Sequence, residues 1–191
     1  MRIVLTGFMG TGKTVVGRRL AARLGRELFD TDALIERATG RSVREVFAAD
    51  GEARFRELER TAVGEACAAG DVVVSTGGGA LLDGRNLRAL QDGGLLVCLT
   101  ASPRTIARRV RGSVPDRPLL HGHPSLTGRI RELLEARAPV YAGIPLQIDT
   151  STLSVDEVVA EIARHLERAE SAHGARPAAA GAQQAPACGR S

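Results

Sequence analysis

Gly7-Phe8-Met9-Gly10-Thr11-Gly12-Lys13-Thr14 holds the one lysine of a chain that carries 26 lysine and arginine residues. The stretch matches G-x-x-x-x-G-K-[ST], a loop whose glycines let backbone N–H groups turn inward around phosphate oxygens. A helix that follows such a loop adds the partial positive charge of its N-terminus. Lys13 is then expected to reach the β- and γ-phosphates, and Thr14 to ligate Mg²⁺. A compact ammonium fits between phosphate oxygens where a planar guanidinium needs a different pocket, so a lysine kept among arginines adds weight. The chemistry predicted is the binding of a nucleoside triphosphate.

Three further groups of residues could face that nucleotide. In Asp30-Thr31-Asp32 one carboxylate could hold Mg²⁺ through water and another could orient an attacking hydroxyl and accept its proton, or Asp30 or Thr31 could simply cap a helix. Gly77-Gly78-Gly79 permits close approach of a backbone with free amides to a ligand. Arg56 and Arg137 flank apolar helical positions, where an arginine is ordinarily a solvated surface group. Arg117 stands beside Pro118 in an aperiodic Pro- and Gly-rich stretch, Arg111 to Pro124; on a closing lid it would meet charge on a transferring phosphoryl group. His121 and His123 have no metal-binding spacing and read as surface residues.

These positions need elements to hold them. Arg2–Thr6 is a short apolar, β-branched run ending in glycine, which predicts a buried strand, and Val15–Leu24 has helical spacing up to Gly25. Glu27–Phe29 predicts a second short strand. Asp32 to about Ala69 is helical in texture, broken at Thr39-Gly40 and Asp50-Gly51 into two or three helices. Asp71–Ser75 and Leu95–Leu99 predict further strands, Leu146–Asp149 a last one, and Ser154–Arg168 a closing helix. Short buried strands alternating with helices predict an α/β fold in three layers, a parallel sheet covered on both faces.

A length of 191 residues suits one domain. Residues 1–169 form the expected domain, with a lid at about 112–124. Residues 170–191 are expected to be a disordered tail, because from Gly174 onward there are seven alanines and no Val, Ile, Leu, Met or aromatic residue. Cys67, Cys98 and Cys188 are far apart and odd in number, which predicts reduced thiols. No window approaches a membrane span and no signal-peptide layout follows Met1, so a cytoplasmic location is expected. The net charge of +4 allows an anionic ligand. With no tryptophan, one tyrosine and dispersed arginines, a nucleic acid partner is not expected, and without an apolar span neither is a membrane.

Taken in order and spacing, GFMGTGKT, Asp30-Thr31-Asp32, Phe55-Arg56-Glu57-Leu58-Glu59, Gly77-Gly78-Gly79-Ala80, Arg117-Pro118-Leu119-Leu120 and Arg137-Ala138-Pro139-Val140-Tyr141 resemble the shikimate kinase family over about residues 2–168. The resemblance implies a P-loop, nucleoside monophosphate kinase-like fold with a five-stranded parallel sheet. It implies ATP-dependent phosphorylation of the 3-hydroxyl of shikimate in the route to chorismate and aromatic amino acids. By position, Gly10, Thr11, Gly12, Lys13, Thr14, Val15, Arg109 and Arg117 would contact ATP, with Thr14 and Asp30 holding Mg²⁺. Asp32, Arg56, Gly78, Gly79 and Arg137 would contact shikimate, and Lys13, Asp32 and Arg117 would carry the catalysis. The family's size implies a monomer. Thr150-Ser151-Thr152-Leu153-Ser154 departs from the basic or proline residues that family members often place against adenine, leaving Arg109 to stack on the base.

Overall fold

The computed structural model describes residues 1–174. Five strands, β1 (Arg2–Gly7), β2 (Leu28–Asp30), β3 (Val73–Ser75), β4 (Gly94–Thr100) and β5 (Leu146–Asp149), form one sheet in the order β2-β3-β1-β4-β5. All pairs are parallel, with Asp30 level with Ser75 and Gly7 level with Leu99. Parallel neighbours need crossovers, and seven helices are available: α1 (Lys13–Leu24), α2 (Thr31–Thr39), α3 (Val43–Ala68), α4 (Gly84–Gln91), α5 (Pro103–Val110), α6 (Leu126–Ala142) and α7 (Val155–Gly174).

Alternation along each strand sends successive side chains to opposite faces. Ile3, Leu5, Val97, Leu99 and Ile148 pack against Val16 and Leu20 of α1 and Val158, Val159 and Ile162 of α7. Val4, Val74, Leu96 and Cys98 pack against Val63 and Ala66 of α3, Leu90 of α4, Ile106 and Val110 of α5 and Ile130 of α6. Both faces are therefore dry, which is why these strands read as unbroken apolar runs rather than alternating ones. A smaller cluster of Leu34, Ile35, Val46, Phe55 and Ala62 holds α2 against α3.

The strands fall where expected, with shifts at their ends. β2 lies one residue further on than Glu27–Phe29, which makes Asp30 a ladder residue opposite Ser75. The helical region after it is divided as its glycines predict: Gly40 ends α2 in the left-handed conformation, and Gly51 (φ 77°, ψ 176°) interrupts α3. The stretch from Arg111 is more ordered than a plain loop, with 3-10 turns at Arg111–Asp116 and Pro118–Leu120. α7 continues past residue 169 to Gly174, since Ala169-Glu170-Ser171-Ala172 contains no helix breaker. The rest of the expected tail, with Cys188, lies outside the described residues. Cys67 and Cys98 are free thiols. Among the described residues no helix is long and apolar enough to cross a membrane.

Candidate active site

The carboxyl ends of β1, β2 and β3 open onto a cavity of about 460 Å³. Gly7 must be glycine, because a Cβ there would stand 2.1 Å from the carbonyl oxygen of Leu99 on β4. The loop beyond it turns through left-handed Gly10 (φ 77°) and Gly12 (φ 100°), conformations that favour glycine. Two of its carbonyls are engaged by the side chain of Lys13. Those of Gly7 and Phe8 each accept from Lys13 Nζ at 2.9 Å, and Phe8 also accepts from Thr11 Oγ1 at 2.8 Å. Lys13 is 9% exposed, and burial pulls its ammonium down to about 8 against the pull of Asp32 and Asp30. Gly10, Gly12, Lys13 and Thr14 line the cavity at the α1 N-terminus.

Asp30, Thr31 and Asp32 make three different sets of contacts. Asp30 Oδ1 caps α2, accepting from the amides of Asp32 (3.1 Å) and Ala33 (3.5 Å), while Oδ2 accepts from Thr14 Oγ1 at 2.9 Å. Thr31 is fully buried and does not cap; its Oγ1 accepts the amide of Gly77 at 2.8 Å. Asp32 lines the cavity, and its carboxyl is pushed up to about 6 by burial and by the charge of Asp30, with Lys13 opposing.

The glycine run passes each of the expected charged residues in turn. A Cβ on Gly77 would meet Asp32 Oδ1 at 2.8 Å and Glu59 Oε1 at 2.9 Å. One on Gly78 would lie 3.5 Å from Arg137 Nη1, and one on Gly79 would lie 3.0 and 3.1 Å from the terminal nitrogens of Arg56. Three residues without side chains therefore let two carboxylates and two guanidiniums converge beside the phosphate loop. Arg137 is 5% exposed, donates to the carbonyl of Gly78 at 2.9 Å and lies 4.9 Å from the ring centroid of Phe8. Among the described residues no carboxylate pairs with it, whereas Arg56 pairs with Glu59 (2.8 Å) and Glu52 (3.0 Å). Neither arginine is the solvated surface group that its sequence surroundings alone would imply.

Arg117 lines the same cavity from the segment between α5 and α6 and donates Nε to Ser113 Oγ at 3.0 Å. Val15 lies exposed at the rim. Arg109 donates to Thr150 Oγ1 (2.9 Å), the Thr150 carbonyl (2.6 Å) and the Gly10 carbonyl (3.3 Å). His121 and His123 stay outside the cavity, as expected.

Sequence reasoning missed Glu59, Thr31 and Tyr141. Glu59 is 1% exposed, and burial pushes its carboxyl up despite Arg56. Its place three residues after Arg56 on a helix was the available signal. The Tyr141 hydroxyl joins Arg137 on the Gly78 carbonyl at 3.0 Å.

A phosphate loop opening α1, a parallel sheet and an arginine-bearing segment over the cavity define a P-loop kinase. Comparison with known proteins narrows the class. The sequence family described as shikimate kinase matches residues 9–167. A shikimate kinase of Pelotomaculum thermopropionicum is 47% identical over 164 residues, 86% of this chain and 94% of that protein. One of Symbiobacterium thermophilum is 48% identical over 169 residues, 87% and 97% of the two chains. The solved structure of the shikimate kinase from Acinetobacter baumannii in complex with shikimate superposes with a TM-score of 0.83 at 33% identity, covering 88% of this chain and 94% of that one. The chain belongs to the shikimate kinase family.

Proposed function

We propose that this cavity transfers the γ-phosphoryl group of ATP to the 3-hydroxyl of shikimate, giving shikimate 3-phosphate and ADP in the route to chorismate and aromatic amino acids. The observation that carries the reading is the convergence of Asp32, Arg137 and Arg56 on Gly77, Gly78 and Gly79 beside the phosphate loop. A monocarboxylate bearing several hydroxyls needs a guanidinium fork at one end and a carboxylate acceptor at the other.

The roles follow from position. The amides of Gly10 to Val15 and the ammonium of Lys13 hold the phosphates of ATP. Arg137, with no carboxylate partner among the described residues, receives the carboxylate of shikimate, and Arg56 is the second arm of the clamp. Gly78 and Gly79 present backbone to the ring. Asp32 binds the hydroxyls, turns the 3-oxygen toward the γ-phosphorus and takes up its proton. The new P–O bond forms as the bond to the β–γ bridging oxygen breaks, and ADP leaves with that electron pair. Lys13 and Arg117 neutralise the charge on the phosphoryl group in flight. Arg109 sits at the edge of the loop, on the nucleotide side.

Thr14 and Asp30, paired at 2.9 Å, offer the hard oxygen donors that Mg²⁺ prefers, and the described residues contain no cluster of three or more ligating side chains. That fits a small cation which keeps several waters and takes its remaining contacts from substrate phosphates. When bound, Mg²⁺ supplies charge compensation on the β- and γ-phosphate oxygens; Thr14 would hold it directly and Asp30 through water. Dispersed arginines and a self-contained core support a cytoplasmic monomer acting without nucleic acid or membrane.

Release of ADP, measured with shikimate, gluconate and nucleoside monophosphates side by side, tests the reading. Shikimate alone should stimulate turnover strongly. No response to shikimate would sink the assignment.

A further inference from the structure

We infer that Thr150 is a positioning residue for the nucleotide half of the reaction. From the end of β5, together with Arg109, it holds the central carbonyls of the phosphate loop outward so that the loop's amides face inward. The inference rests on the phosphoryl-transfer reading for its consequence in turnover, and on the loop's own geometry for its consequence in nucleotide binding.

A phosphate loop works only if its N–H groups converge, which requires its carbonyls to find partners elsewhere. Partners within the loop and α1 serve most of them: Lys13 and Thr11 donate to Gly7 and Phe8, and the amide of Val16 donates to the carbonyl of Gly12 at 2.9 Å. Gly10 and Thr11, at the centre, are served from far away in sequence. Arg109 reaches the Gly10 carbonyl across 99 positions, and Thr150 Oγ1 reaches the Thr11 carbonyl at 3.0 Å across 139 positions.

Thr150 is 3% exposed, and its amide, carbonyl and hydroxyl are all hydrogen-bonded. Its hydroxyl has one proton and two carbonyls within reach, those of Thr11 and Thr100, each at 3.0 Å. The Thr100 carbonyl already receives the amide of Thr150 at 2.9 Å, so the proton gains more at Thr11. The hydroxyl oxygen and the carbonyl of Thr150 in turn accept from the two terminal nitrogens of Arg109. One side chain thus ties the ends of β4 and β5, the helix that leads to Arg117, and the middle of the phosphate loop. Valine has the same shape and keeps the backbone bonds to Thr100 and Arg109, but it loses every contact of the hydroxyl, the one to the Thr11 carbonyl included.

The test measures ADP affinity by calorimetry without acceptor, and the KM values for ATP and shikimate separately, in wild type, Thr150→Val and Thr150→Ser. Thr150→Val should weaken ADP binding and raise the ATP KM about tenfold, with the shikimate KM within about twofold of wild type. Thr150→Ser, which keeps the hydroxyl, should restore both. Wild-type ADP affinity in Thr150→Val, an equal loss for both substrates, or a Thr150→Ser variant as impaired as valine would each overturn the inference. Should Thr150→Val fail to fold, Arg109→Lys carries the test: exposed and still cationic, it cannot span Thr150 and Gly10, and unchanged ADP affinity there would overturn it. If shikimate does not stimulate wild-type ADP release, the acceptor assignment fails, while a weakened ADP affinity in Thr150→Val still supports the role of Thr150.

Discussion

Arg137 and Gly78 are joined by a 2.9 Å hydrogen bond from guanidinium to carbonyl, which turns a charged side chain that is 5% exposed toward the cavity rather than toward solvent. Tyr141, one turn further along α6, donates to the same oxygen, and the ring of Phe8 lies under the guanidinium. Two contacts therefore hold the fork, and a third holds the carbonyl to which it donates, before any ligand arrives. Such pre-organisation lowers the entropy lost on binding a carboxylate.

Replacing Arg137 with lysine keeps the charge and removes the fork. A carboxylate held by two parallel N–H groups would be held by one, with the stacking on Phe8 also lost. Arg137→Lys is expected to raise the shikimate KM by roughly 10- to 100-fold, while the ATP KM stays within about twofold. Steady-state kinetics with each substrate varied in turn checks this, and an unchanged shikimate KM would remove Arg137 from the site.

Gly77→Ala probes the opposite wall. The added methyl would stand 2.8 Å from Asp32 Oδ1 and 2.9 Å from Glu59 Oε1, and Glu59 is 1% exposed and paired with Arg56. Backbone relief is blocked because the amide of Gly77 is bonded to buried Thr31. The expected result is a loss of stability of about 1–3 kcal/mol, as for other overpacked interiors. A fall in kcat/KM for shikimate of at least ~100-fold should accompany it, since displacement of a reacting group by about 1 Å has that effect. A variant with wild-type melting temperature and kinetics would show that the carboxylates are free to move.

Much of this architecture was legible in the sequence, for identifiable reasons. Strands buried on both faces must be continuously apolar, so Arg2–Gly7 and Gly94–Thr100 announce themselves, and the Gly40 and Gly51 breaks follow from backbones that few other residues adopt. The phosphate loop is local, and its pattern carries its own geometry. What stayed hidden depends on contacts between distant segments. Glu59 reads as one more acid on a helix until Gly77, 18 positions later, closes over it. Thr31 reads as a cap until β2 and β3 pair, which brings the amide of Gly77 to its hydroxyl. The contacts of Arg109 with Thr150, 41 positions away, form only once the residue after β5 is placed beside the end of α5.

The pH dependence has two limbs with opposite signs. Asp32 must be ionised to accept a proton, and its carboxyl is pushed up to about 6, so kcat/KM should rise through pH 6. Lys13 must be cationic and is pulled down to about 8, so kcat/KM should fall above pH 8. For stability the Asp32 value lies above the ordinary 3.8. The contribution of its neutral form is complete below that ordinary value and lost as pH rises through about 6. Asp32→Asn should therefore be inactive yet more stable than wild type at pH 8, by about 1–3 kcal/mol, with the gap closing as pH falls from 6 toward 4. Thermal unfolding across that range checks it; a variant no more stable at pH 8 would contradict burial as the dominant cause.

Lys13→Arg separates charge from shape at the phosphate loop. The lysine ammonium reaches two carbonyls at 2.9 Å from within a side-chain slot that is 9% exposed. A guanidinium carries the same charge but is planar and longer, so it can neither occupy that slot nor sit as a point charge between phosphate oxygens. The loop's glycines and the clasp at Thr150 are untouched, so the fold should persist, with a melting temperature within a few degrees of wild type. Turnover should fall by at least ~100-fold, the scale seen when one donor to a developing charge is lost. Circular dichroism and the ADP-release assay read the two effects independently. If the arginine variant keeps more than about a tenth of wild-type kcat, the single lysine of this arginine-rich chain is kept for some reason other than the geometry of phosphoryl transfer.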